Sequence, residues 1–196
     1  MNSFAVAGTY LVSTLFSLYM LAILLRFLLQ LARADFYNPI SQAIVKITDP
    51  ALRPLRRIIP GFAGIDVASL VLAAVVQMAA ICLILLLNGR GVPNFFFVFG
   101  WSLVGILAFI LKIYFFALLV MIILSWVAPN SYNPGAVLVQ QLTDPITRPA
   151  RNIIPPIGGL DLSPIFIFIM INVLEILVVR QLATALSLPR GLIMGV

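Results

Sequence analysis

The chain has 196 residues, of which 63% are hydrophobic and only 9% charged, and its formal net charge is +6. A soluble domain carries about 25% charged residues, so a water-exposed globular enzyme is excluded. The absence of histidine and the lone Cys82 in ICLILLL also remove most metal, haem and nucleophile constellations and any disulfide within the chain.

The chain opens on MNSFAVAGTY, which lacks a positive leader region, and the apolar block behind it, 9–31, is too long for a signal peptide. It is expected to stay as a first membrane span. Arg26 lies about 9 Å from the inner end of that span at 1.5 Å per residue, close enough to snorkel. Next comes YNPISQAIVKI, where Asn38 can cap a helix and Pro39 can occupy its first turn. Ile40, Ala43, Ile44 and Ile47 recur at helical spacing, which predicts a short amphipathic helix in the interface plane. Tyr37 and Tyr132, at the entrances of this segment and its later copy, are expected at head-group depth.

The stretch TDPALRPLRRIIP follows. Asp49 reads as a second cap with Pro50 at the first helical position, and Pro54 then falls inside the turn that would follow. The motif is therefore expected to be a kinked piece or a pair of single turns. Asp66 caps a second span at 67–87, which carries Gln77. After the NGRGVPN turn, FFFVFGW reads as an aromatic girdle ahead of a third span at 103–127, which holds Lys112. A second polar segment repeats the first, with Asp144 and Asp161 in the capping positions. A fourth span at 164–186 carries Asn172, Glu175 and, near its outer end, Arg180.

A shift of 95 residues aligns 37–66 with 132–161 without a gap, and fourteen of these thirty positions are identical. The shift defines two units, 1–94 and 95–196, each a span, a polar segment and a span. Two spans per unit give both units one orientation, so they are expected to be parallel tandem repeats. Arg33, Lys46, Arg53, Arg56, Arg57, Arg148 and Arg151 fall on the side of the polar segments, against Arg90 and Arg190 on the other. The positive-inside rule places the polar segments in the cytoplasm and both termini outside.

Three readings of the loop cations stay open. They can anchor anionic lipid at about 1 kcal/mol each. Arg53 and Arg148 can face each other across the pseudo-twofold axis and hold a phosphate or a partner carboxylate. They can also simply pair with Asp49 and Asp144, four residues earlier. Within the spans, Lys112 and Glu175 come at similar depths, which suggests an ion pair. Gln77 and Asn172 stand at equivalent positions of the second and fourth spans, as interhelical glue or as part of a polar path.

The repeated pattern YNP…TDP..RP.R.IIP…G.D between apolar spans resembles the YggT (YlmG-like) family of bacterial and plastid membrane proteins, in its double-unit form. The second unit departs from the first at Asn152, opposite Arg57, and at Pro156, opposite Gly61. The resemblance implies an inner-membrane or thylakoid location and no catalytic activity. It also implies roles linked to osmotic tolerance or ion uptake, to division and envelope organisation, or to plastid assembly.

The expectation is an all-α, four-span protein without cofactor, metal or catalytic residue. It is expected to act as an inner-membrane scaffold presenting Lys46, Arg53, Arg56, Arg57, Arg148 and Arg151 to anionic lipid, to a membrane-protein partner or to a further copy of itself. No direct contact with nucleic acid is expected. The alternative is a component of ion or osmolyte transport, with Gln77, Lys112, Asn172 and Glu175 lining a polar path.

Overall fold

In the computed structural model the described residues are 3–62, 64–127, 132–153, 161–189 and 192. Ile154, Pro155, Pro156 and Arg190, used in the readings above, lie outside them. Among the described residues the fold is helical, with a single isolated bridge between Phe62 and Ile65 and no strand. Four helices are long and apolar enough to cross a membrane: α1 (Ser3–Leu31), α3 (Val67–Leu87), α4 (Phe95–Val127) and α6 (Ser163–Ala185). Between them lie two helices of equal length, α2 (Pro39–Ile58) and α5 (Pro134–Ile153).

The third span begins eight positions before the expected start. Its FFFVFGW run is helical and continuous with the rest of α4. Phe95 and Phe96 are exposed as a girdle requires, but Trp101 is buried and its Nε1 donates to the Leu186 carbonyl at 2.9 Å. Trp101 therefore registers α4 against the end of α6 rather than anchoring lipid.

α2 corrects a second expectation. It starts as the sequence predicts, with the Asn38 side chain accepting from the Ile40 amide at 2.9 Å and Pro39 in the first turn. It then runs unbroken through Pro50 and Pro54, and α5 does the same through Pro145 and Pro149. Asp49 and Asp144 consequently lie mid-helix and are not caps. All four prolines are exposed, so the missing backbone bonds fall on the face turned from the core. On the inward face the Thr48 hydroxyl donates to the Ile44 carbonyl at 2.8 Å, and Arg26 of α1 donates to the Val45 carbonyl at 3.3 Å. The first bond is local to α2, and the second, arriving from α1, is the tertiary contact that adds to what local propensity provides. The buried face of α2 is Ser41, Ile44, Thr48 and Leu52, whereas Ile40, Ala43 and Ile47 of the expected apolar stripe are exposed.

The main core draws on α1 to α5. Met20, Ile23, Leu24 and Leu28 of α1 meet Ala68, Ala73 and Ala80 of α3, small residues that let two backbones approach. Leu52 of α2, Ile106 and Ile113 of α4, and Leu138 and Leu142 of α5 complete it. α6 packs on α4 along its length, through Ile167 and Ile171 against Leu118 and through Val179 against Val104 and Ala108, and Ala150 of α5 joins the first of these clusters. α3 is not a neighbour of α6 among the described residues. Within α6, residues Glu175–Val179 form a π-helical turn.

Candidate functional site

The site is built where α1 hands over to α2. Arg26 is 4% exposed, so it does not snorkel; it is the guanidinium about which α2 is docked. Its Nη1 pairs with Asp49 Oδ1 at 2.8 Å and donates to the Thr48 hydroxyl at 2.7 Å. The other carboxylate oxygen, Asp49 Oδ2, accepts from Arg53 Nε at 2.9 Å, so one carboxylate bridges a buried and an exposed arginine. A turn further on, Arg56 pairs with Asp66, which also accepts from the Ser69 hydroxyl and, at 3.4 Å, from the Ser69 amide. Asp66 thus caps α3 as expected and ties the end of α2 to it.

Between these elements opens a cavity of about 740 Å³. Arg26, Lys46, Arg53 and Arg56 line it, together with Gln30 and Gln42, and Asp49 is the sole acid among its lining residues. Arg26 and Arg53 share that acid, Arg56 is held by Asp66, and Lys46 has no ion-pair partner among the described residues. The electrostatic balance of the cavity is therefore positive, and Lys46 is its most available charge.

The second unit is similar in outline and different in charge. Met121 stands where the 95-residue shift puts Arg26, and the Thr143 hydroxyl contacts its sulfur at 3.2 Å. Arg148 pairs with Asp144 on its own helix, and Arg151 Nε with Asp161 at 2.8 Å. Asp161 accepts from the Ser163 amide at 2.9 Å, but the N-cap of α6 is Leu162, without a side-chain capping bond, so Asp161 stands just ahead of the capping position expected of it. Arg148 does not line the cavity, and the expected facing of Arg53 and Arg148 gives way to local pairing of each with the aspartate four residues before it. Arg57 sits exposed in the last turn of α2. The units are joined by the Asn38 amide donating to the Pro134 carbonyl at 2.7 Å and by the Asp35 amide donating to Gln141 Oε1 at 3.0 Å.

The intramembrane polar residues do not assemble as expected. Gln77 is buried on α3, and neither of its amide atoms has a hydrogen-bond partner among the described residues. Asn172 donates back to the Phe168 carbonyl of its own helix, and since α3 is not beside α6 the two amides cannot form glue. Lys112 is exposed and does not pair with Glu175, whose partner is Arg180 at 3.6 Å.

Three carboxyls outside the spans are held below the usual aspartate value of 3.8. For Asp49 the leading cause is the Arg26 hydrogen bond, with burial opposing. For Asp66 burial is the largest single influence and pushes the value up, but Arg56 and Ser69 together outweigh it. At Asp161 burial is likewise overcome by Ser163 and Arg151. A carboxylate lowered in the folded state stabilises it fully above 3.8, and this stability disappears as pH falls through the lowered values. The expected result, measured by thermal unfolding in detergent, is a midpoint that is level above about pH 5 and falls progressively below it.

Four apolar helices, two proline-bearing connecting helices and a basic cleft define a multi-span membrane protein. The CCB3/YggT family model matches residues 6–87 and again 100–182, so the chain belongs to the CCB3/YggT family. It is 54% identical over 187 residues to an uncharacterized protein of Pseudomonas aeruginosa, covering 95% of each chain. It is 39% identical over 191 residues to the uncharacterized protein YggT of Escherichia coli K12, covering 95% of this chain and 97% of that one. Similarity to YlmG homolog protein 2, chloroplastic, of Arabidopsis thaliana is 42% over 65 residues, covering 32% of this chain and 24% of that one. No solved structure matches at a significant level.

Of the residues that build the cleft, sequence reasoning missed Arg26. The signal was present: under the 95-residue shift it is a charge opposite a methionine, so it serves something in one unit only.

Proposed function

We propose that this chain is a non-enzymatic scaffold of the bacterial inner membrane. Its two units are parallel repeats, and their connecting helices lie at the cytoplasmic surface with both termini outside. The basic cleft docks the phosphate of an anionic lipid head group. The observation that carries this reading is the cavity itself, with four cations around one acid that two of them already share. Arg53, Arg56 and Lys46 reach outward from α2, as cations that meet a head-group layer do. A transport path draws no such support, because Gln77 is on a helix apart from α6 while Lys112, Asn172 and Glu175 face out of the bundle.

Lys46→Gln tests the reading, since Lys46 has no structural ion pair to lose. Retention of phosphatidylglycerol or cardiolipin, followed by native mass spectrometry from detergent, is expected to fall about fivefold, the equivalent of about 1 kcal/mol per basic residue. Retention of phosphatidylcholine is expected to stay unchanged. Equal retention of anionic and zwitterionic lipid by the unmodified protein would overturn the proposal.

A further inference from the structure

Lys112 stands midway along α4, roughly 26 Å from Phe95 and 23 Å from Val127 at 1.5 Å per residue. Glu175 stands midway along α6, roughly 18 Å from Ser163. The Trp101–Leu186 hydrogen bond sets these two helices in register. Counted from that bond, Lys112 along α4 and Glu175 along α6 each lie eleven residues down, about 16 Å at 1.5 Å per residue. Both sit near the centre of a hydrocarbon layer about 30 Å thick, beyond the reach of snorkelling.

The two residues also share a flank. α4 and α6 are antiparallel, since Trp101 meets Leu186 at one end and Leu118 meets Ile167 and Ile171 at the other. α4 turns Leu118, Ala108 and Val104 towards α6, and Lys112 follows Leu111 of that contact line by about 100°. α6 turns Ile171 towards α4, and Asn172 follows it by the same rotation, with Glu175 one turn on. On antiparallel helices that rotation leads to the same side. This flank therefore presents a cation without an ion-pair partner among the described residues, an amide, and a carboxylate that is 48% exposed and held only by an exposed Arg180. Around them Phe116, Leu119 and Ile123 continue an exposed stripe along α4. A charged group facing lipid at this depth is unfavourable on every insertion scale, so the flank calls for a cover.

We propose that a second copy of this chain covers the flank, in a twofold contact that sets Lys112 of each copy against Glu175 of the other. The patch is its own complement: one positive and one negative group, side by side at one depth, become two ion pairs under a twofold rotation. The π turn at Glu175 supports this reading, because such turns locally displace side chains and gather at functional positions.

The experiment measures subunit number by native mass spectrometry from lipid nanodiscs and by photobleaching in vesicles. The unmodified protein is expected to be dimeric. Lys112→Glu and Glu175→Lys are each expected to be monomeric, and their co-expression to restore a mixed dimer, since the opposite charges then meet only across copies. A pair formed within one chain cannot be restored in that way. Should the reversals not insert, Lys112→Met and Glu175→Gln are expected to lower the dimer fraction at least about tenfold at equal dilution, the loss of a desolvated ion pair. A monomeric unmodified protein, a dimer indifferent to these changes, or failure of the mixed pair to associate would overturn the proposal.

Discussion

Asp49→Ala is expected to destabilise the protein by about 3–5 kcal/mol, the cost of removing one partner from a buried ion pair. The loss falls on Arg26, which is 4% exposed and would keep only the Thr48 hydroxyl and the Val45 carbonyl as acceptors. The converse change, Arg26→Met, is expected to cost clearly less. Asp49 is 21% exposed at its side chain and retains Arg53, so it is left neither dry nor unpaired. Met121 shows that a thioether fits the corresponding place in the second unit against Thr143. The double variant Arg26→Met/Asp49→Ala is expected to recover much of the loss of Asp49→Ala, since no buried charge then remains. Chemical unfolding in mixed micelles checks the order Asp49→Ala, double variant, Arg26→Met. Equal losses for the two single variants would refute the burial argument.

Asp66→Ala is expected to cost about 3 kcal/mol, and Asp161→Ala about 1 kcal/mol, although both residues end the same motif in the two units. Asp66 is 4% exposed and takes bonds from Arg56 and from two groups of Ser69. Its removal frees the start of α3, leaves the Ser69 hydroxyl without its acceptor and releases the end of α2. Asp161 is 34% exposed at its side chain, so water replaces much of what Arg151 and Ser163 lose. Unfolding curves in the same micelles compare the two, and Asp66→Asn, which keeps an acceptor for Ser69, is expected to fall between them.

Much of this architecture could be read from the residues because composition and local chemistry dictate it. Apolar runs of this length have one stable solution, and Asn38 with Pro39 favours the start of a helix. Pairs spaced as Asp49–Arg53 and Asp144–Arg148 meet wherever the chain is helical. What escaped depends on distant partners. Pro54 argues for a break if the missing amide is counted alone, and Arg26, arriving from another helix, tips the balance towards a continuous helix. The facing of Lys112 and Glu175 is decided by the rotation of α4 and α6 about their axes, which apolar residues all around a span leave unspecified. Gln77 and Asn172 match under the repeat, but a match in position does not place α3 beside α6.

The Arg26 contact has a mechanical side. α2 is gripped by α1 below its last turn, and its first turn is held to α5 through the Asn38 amide. Surface helices usually float at the boundary and feel the bilayer only through their own side chains. On the proposed placement of α2 at the lipid surface, a sideways push on it would be delivered to the backbone about 8 Å inside α1 at 1.5 Å per residue. On that placement the lipid surface and the interior of the bundle are levers on one another, with the Arg26 guanidinium as one pivot and the Arg56–Asp66 pair as another.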